Sequence, residues 1–168
     1  MSGTIDHVNV TLKIDSQLNS PLDLSTAFDP ILINQLITFS NGTATGTCSQ
    51  HWSDTRTLTA SATENLDMAA SIVNVFGTTL TFAKLKVVYV KAAAANTNDV
   101  QFQRATTNGV PLFMAATDGI ALAPGEIFLY VSPGVGKTVT AATGDIFTIT
   151  NSAGGTSVSY DIVLIGTD

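Results

Sequence analysis

Apolar and polar residues alternate with period two along much of the chain. Val8, Val10, Leu12 and Ile14 fall on one side of an extended backbone, and His7, Asn9, Thr11 and Lys13 on the other. Leu58, Ala60, Ala62, Leu66 and Met68 are set against Thr57, Thr59, Ser61, Thr63, Asn65 and Asp67. Val158, Tyr160, Ile162 and Leu164 oppose Ser157, Ser159 and Asp161. Successive side chains of a strand point to opposite faces, so each run predicts a strand with one buried face. Other runs are apolar on both parities: Leu80 to Val90, Ile127 to Val131, and Ile146 to Ile149. In the first of these the apolar parity switches near Ala83, which predicts a bulge or a face that changes partner. A strand without a polar face needs a cover on both sides, and another subunit is one such cover.

Turn signals separate these runs: Asn41-Gly42, Phe76-Gly77, Asn108-Gly109, Asp118-Gly119, Pro124-Gly125, Pro133-Gly134, Thr143-Gly144 and Gly154-Gly155. Their spacing is that of sandwiches and barrels. Asn151 to Gly155 reads as a hairpin loop, and Pro124-Gly125-Glu126 as a tight turn. Pro21, Pro30 and several aspartates mark residues 16–30 as loop, with room for one strand. Asn65 to Phe76 fits either one short helix or a strand followed by a loop, and Ala92 to Asn96 fits a strand end. Short strands without βα alternation predict an all-β fold. The expected form is a single-domain antiparallel β-sandwich, jelly-roll-like, with a closed barrel as the competing architecture. Residues 1–30 are expected to form an N-terminal strand and an extended arm or loop, and residues 31–168 the sandwich.

Charge changes the picture. Among 168 residues, 7 are Lys or Arg and 13 Asp or Glu, a net charge of −6. The charged fraction of 12% is about half the usual ~25%. With 45% hydrophobic residues, the chain is not disordered. The acidic balance argues against a nucleic-acid partner, which demands a basic face. No run approaches the ~18 apolar residues of a membrane span, so no membrane partner is expected. One cysteine, Cys48, excludes an intrachain disulfide and a thiolate zinc cluster. The N-terminus lacks the basic and apolar regions of a signal peptide, which predicts synthesis in a cytoplasm and makes the sequons at Asn9 and Asn41 chance matches. Threonine is abundant, whereas only two glutamates occur, Glu64 and Glu126. A soluble monomer usually covers itself with charge, and permanent interfaces are depleted in it. A subunit of a lasting assembly is therefore expected, the alternative being an extracellular-style β domain with a neutral polar surface.

The candidate chemistry is thin. Gly134-Val-Gly136-Lys137-Thr138 imitates a phosphate loop, but Val131 stands where the motif needs glycine, and no helix is predicted to follow. Cys48, His51 and Asp54 would share a face only on a helix, and the stretch reads as a strand. A zinc site needs three or four ligands, and the other histidine, His7, reads as a surface residue. Asp54 and Arg56 point the same way on a strand, which suits a structural ion pair or an intersubunit contact. Trp52, Tyr130 and Tyr160 suit a sugar-stacking platform, and equally a core. Asp118 and Asp145 lack the alternating carboxylates of a calcium loop. Glu126 and Asp145 are the first residues to test for a carbohydrate-active enzyme. No catalytic, cofactor-binding or metal residue is assigned, and neither a cofactor nor catalysis is expected.

From Trp52 onward the chain resembles a group of small tailed-bacteriophage virion proteins. The resemblance lies in Trp52-Ser-Asp-Thr-Arg-Thr-Leu-Thr-Ala-Ser-Ala-Thr-Glu-Asn-Leu-Asp67 and Phe76-Gly-Thr-Thr-Leu-Thr-Phe-Ala-Lys-Leu-Lys-Val-Val-Tyr-Val-Lys91. Pro111-Leu-Phe113, Pro124-Gly125, Thr143-Gly-Asp145 and Gly155-Thr-Ser-Val-Ser-Tyr-Asp-Ile-Val-Leu-Ile-Gly166 extend it, so that it covers residues 52–166. Before residue 52 it is carried only by Leu36-Ile-Thr-Phe-Ser-Asn-Gly42. It implies a β-sandwich that decorates or cements a capsid, binding the major capsid protein as a homo-oligomer, expected to be a trimer, on the virion surface. Residues 1–30 are then expected to reach onto a neighbour. A tail-fibre or receptor- and glycan-binding module is the alternative.

Overall fold

The computed structural model describes residues 4–168, and no helix occurs among them. The strands are β1 (His7–Pro21), β2 (Thr26–Asn41), β3 (Thr47–Cys48), β4 (Gln50–Leu58), β5 (Thr63–Asp67) and β6 (Lys84–Ala92). They continue with β7 (Val100–Arg104), β8 (Gly119–Leu122), β9 (Ile127–Val131), β10 (Lys137–Thr138), β11 (Ile146–Asn151) and β12 (Val158–Thr167).

Strands β4 to β12 form two sheets. The first has the order β4-β12-β6, with β9 and β10 paired to successive parts of β6 on its other side. The second has the order β5-β11-β7-β8. The antiparallel pairs are nested: β4 with β12, β5 with β11, β6 with β9, β7 with β8. Successive pairs fall in alternate sheets, as when one long two-stranded ribbon is rolled up. That is the jelly-roll sandwich, and no strand pairing joins the two sheets into a barrel among the described residues.

The inner faces carry the alternating residues read from the sequence. Trp52, Leu164 and Val88 form one row across the first sheet, continued by the half-buried Tyr130. Phe102 of the second sheet meets Phe147, Phe113 and Phe128 with ring centroids 4.8, 5.6 and 5.6 Å apart. Each such side chain contributes roughly 1.5–3 kcal/mol on burial.

Several local expectations need correction. The bulge lies at Lys86, not Ala83: Ile165 pairs with Val87 and Gly166 with Leu85, leaving Lys86 as the extra residue. Residues 80–83 precede the strand. A Cβ at Gly166 would lie 1.9 Å from the Lys84 carbonyl oxygen, so only glycine lets the strands approach at the bulge. Asn151 to Gly155 is not a hairpin loop, because β11 and β12 belong to different sheets and the segment crosses between them. After β5 the chain turns rather than forming a helix: the Asp67 carboxylate accepts the Ala69 and Ala70 N–H groups at 2.8 and 3.0 Å. The strand end at Ala92 and the turn at Pro124-Gly125 are as expected, with Gly125 at φ +86°.

The largest departure is at the N-terminus. Residues 16–30 are not loop. β1 and β2 pair in continuous antiparallel register from His7↔Ser40 to Pro21↔Thr26, closed by a turn in which the Leu22 N–H bonds the Ser25 carbonyl at 2.8 Å. Pro21 ends its strand, and Pro30 sits where β2 has no second neighbour, so neither interrupts a ladder. The extended arm expected within residues 1–30 is thus a ribbon that continues to Asn41, with residues 31–41 returning along β1. Residues 1–3, where that arm was expected to begin, lie outside the described residues.

Candidate functional site

The ribbon joins the sandwich through a second, smaller core. Ile5, Phe39, Cys48 and Val87 are buried in it, with Val8, Val10, Ile37, Val131 and Ile165 packed around them. The register places three rows on the outer face of the first sheet: His51–Ile165–Val87–Val131, Ser53–Val163–Tyr89–Leu129 and Thr55–Asp161–Lys91–Ile127. The ribbon root covers the apolar part of the first row. The other two are left open: Leu129 is 43% and Ile127 55% exposed, and Val163, Tyr89 and Lys91 are half-buried.

Beyond Val10 the ribbon leaves the body, and every residue from Thr11 to Leu36 is exposed. At about 3.4 Å per residue, Thr11 to Pro21 spans roughly 35 Å. The ribbon face that continues the root carries Leu12, Ile14, Leu18, Ile31 and Ile33, and the other carries Phe28, Leu32 and Leu36. Leu24, at the tip, is 100% exposed. A lone two-stranded ribbon is marginal in water, and a contiguous apolar surface of this kind marks an interaction site. The free part holds one lysine, Lys13, against three aspartates, Asp15, Asp23 and Asp29, a net charge of −2. Four of the five lysines, Lys84, Lys86, Lys91 and Lys137, lie on β6 and β10 of the first sheet.

The residues singled out by sequence are not brought together. Cys48 is buried in the second core, His51 points outward from β4, and Asp54 lies on the opposite parity. Burial pushes the Cys48 thiol up to about 11, against the pull of Lys86. Burial also lowers the pKa of Lys86, whose ammonium donates to the Gly134 carbonyl. Gly134 to Thr138 ends on strand β10, and a Cβ at Gly136 would lie 2.5 Å from the Leu85 carbonyl oxygen, so its glycine serves close packing. His7 is exposed, with Asp6 at 2.9 Å.

Arg56 does pair with Asp54, Nη1 to Oδ2 at 2.9 Å. It also donates through Nε to Glu64 at 2.7 Å, while the Tyr160 hydroxyl donates to the other Glu64 oxygen at 2.6 Å. Burial and Glu64 hold the Tyr160 hydroxyl far above its usual range. Glu64 escaped sequence reading because its partners lie on strands of the other sheet. Trp52 and Tyr160 are core residues, and Tyr130 lies under the Lys137 ammonium, 5.9 Å from its ring centre. A groove of about 640 Å³ between β4 and residues 73–80 is lined by His51, Trp52, Asp54, Val75 and Phe76. Trp52 is only 7% exposed there, and the free aromatic ring in the groove is Phe76, 62% exposed.

The other carboxylates singled out by sequence close turns. Asp118, Glu126 and Asp145 each accept the backbone N–H of an alanine three residues earlier: Ala115 at 2.7 Å, Ala123 at 2.9 Å and Ala142 at 2.6 Å. No group of three or more metal-ligating side chains occurs among the described residues. The concentrated chemistry of this molecule is therefore the exposed apolar ribbon and the half-covered sheet at its root. Comparison with protein-family models, curated proteins and solved structures finds no match for this chain.

Proposed function

We propose that this chain is a bacteriophage virion structural protein of the decoration or cement type, which binds the assembled head and stabilises it. One observation carries the reading: residues 11–36 form a ribbon that is wholly exposed yet apolar on both faces. Such an element reaches its working state against a partner. In this reading the partners are the major capsid protein and other copies of the chain, in a homotrimer on the capsid surface. The sequence resemblance over residues 52–166 supports it, as does the low density of charged residues, which suits surfaces that pack side by side. Jelly rolls also serve as lectins and cupins, so the fold alone does not choose. Several ribbons per oligomer would turn modest contacts into lasting attachment.

The test is co-sedimentation with purified heads of the phage that encodes the chain, stripped of this protein. Saturable binding in multiples of three copies, with raised resistance of the heads to heat or osmotic shock, is the expected result. Failure to bind heads, together with binding to host-surface glycans, would replace this reading with a tail-fibre or receptor-binding module.

A further inference from the structure

We propose that the free ribbon of one copy lies across the open rows of the first sheet's outer face on a second copy. This deepens the assembly reading and rests on it. The molecule already holds half of the contact. At the root, Val8, Val10, Ile37 and Phe39 pack on Val87, Val131 and Ile165. The same ribbon face continues as Leu12, Ile14, Leu18, Ile31 and Ile33, and the same sheet face continues as Val163, Tyr89, Leu129 and Ile127. Both continuations are uncovered. A chain does not cover its own open rows, because its ribbon leaves the body after Val10 and is exposed from there to Leu36.

Charge and size fit the same occupant. The free ribbon carries a net charge of −2, and Asp29 lies on its root-side apolar face, opposite Leu18. Lys91 stands in the open rows and has no ion-pair partner among the described residues. Asp161 beside it receives the Thr55 hydroxyl at 2.7 Å. Residues 42–168 as a compact body have a radius of gyration of roughly 14 Å, hence are roughly 36 Å across, which a ribbon of roughly 35 Å spans. Because the ribbon of one copy meets the sheet of the next, the contact is head-to-tail, and it makes a ring where the rotation between copies closes.

The test pairs Asp29→Cys with Lys91→Cys in a Cys48→Ala background and applies mild oxidation. Asp29 and Lys91 are at the surface, and the buried Cys48→Ala change is shared by the pair and both single variants, so it cannot account for a difference between them. Disulfide-linked species of two and three chains on a non-reducing gel, absent from either single variant, are expected. As a second measurement, Lys91→Asp should weaken association about fivefold per contact, and Asp29→Lys in the same chain should restore it. An oligomer that forms no cross-link and ignores the charge reversal would overturn the contact, as would a chain that stays monomeric at every concentration. Head co-sedimentation separates the two claims. Heads bound without a cross-link sink this contact and leave the decoration reading standing; a cross-linked ring that ignores heads does the reverse.

Discussion

Replacing Phe39 with alanine should release the ribbon and leave the sandwich folded. Phe39 is completely buried, yet it belongs to the small cluster at the ribbon root and not to the main core. A buried Phe→Ala change costs about 3–5 kcal/mol. The ribbon has little of its own to set against that loss, since two strands alone are marginal. Opening should therefore be local, a separate cooperative unit yielding before the rest. Were Phe39 part of one global unit, the same loss would lower the Tm by roughly 6–20 °C, at about 2–4 °C per kcal/mol. The expected shift in the sandwich is instead below about 2 °C. The assay is amide hydrogen exchange at a concentration where the protein is monomeric. Protection in residues 7–41 should fall by up to about 10²–10⁴-fold, that of β6, β7 and β12 hardly at all. Ribbon amides as protected as in the unchanged protein, together with a full drop in Tm, would refute the reasoning.

Three further outcomes follow from the packing. Gly166→Ala drives a Cβ into the Lys84 carbonyl at the bulge and should cost about 3 kcal/mol, read as a lower urea midpoint; an unchanged midpoint would mean that the bulge tolerates a side chain. Asn151→Ala removes bonds to the Thr59 and Thr156 carbonyls at 3.0 and 2.8 Å and to the Asn98 amide at 3.0 Å, and should cost about 3 kcal/mol by leaving buried groups unpaired. The same midpoint with and without Asn151 would contradict that. Because burial raises Cys48 from 9.0 to about 11, the unfolded chain loses this proton first. The stability linked to the thiol is whole below pH 9 and is lost as pH rises toward 11. The stability difference between the unchanged protein and Cys48→Ala should shrink over that window, and a difference independent of pH would show the thiol to be unperturbed.

The sandwich was legible because its strands alternate. Val158 to Leu164 carries its buried face in every second residue, and Ile127 to Val131 announced a second face in need of cover. Leu58 to Met68 reads as one strand but is two: a turn at residues 59–62, with Ala60 exposed and Ser61 at φ +56°, divides it into β4 and β5 of different sheets, so only Leu58, Leu66 and Met68 keep the buried parity. The outer face at Ile127 to Val131 is the one the ribbon root partly covers. The ribbon itself was half legible. Val8 to Ile14 alternates plainly, but on the return strand Leu32 and Leu36 fill the parity between Ile31, Ile33, Ile37 and Phe39 and hide the period. Pro21, Pro30, Asp23 and Asp29 then weighed toward loop, since propensity cannot tell that both ribbon edges are free and so tolerate proline. The bulge was sensed three residues early because Phe82 is buried ahead of its strand. The Arg56–Glu64–Tyr160 cluster joins β4 and β12 of the first sheet to β5 of the second, a packing of sheet on sheet that no local pattern encodes.

The central claim is that the ribbon is an assembly device. It is tested most directly by light scattering on a sizing column, over a dilution series, for two chains. One is the full chain; in the other, residues 11–36 are replaced by Asn-Gly, joining the paired residues Val10 and Ile37 through a tight turn. The account predicts a stable species of three times 17.5 kDa for the first, and a monomer with an unchanged sandwich Tm for the second. The same number of chains per particle for both, at every concentration, would contradict it.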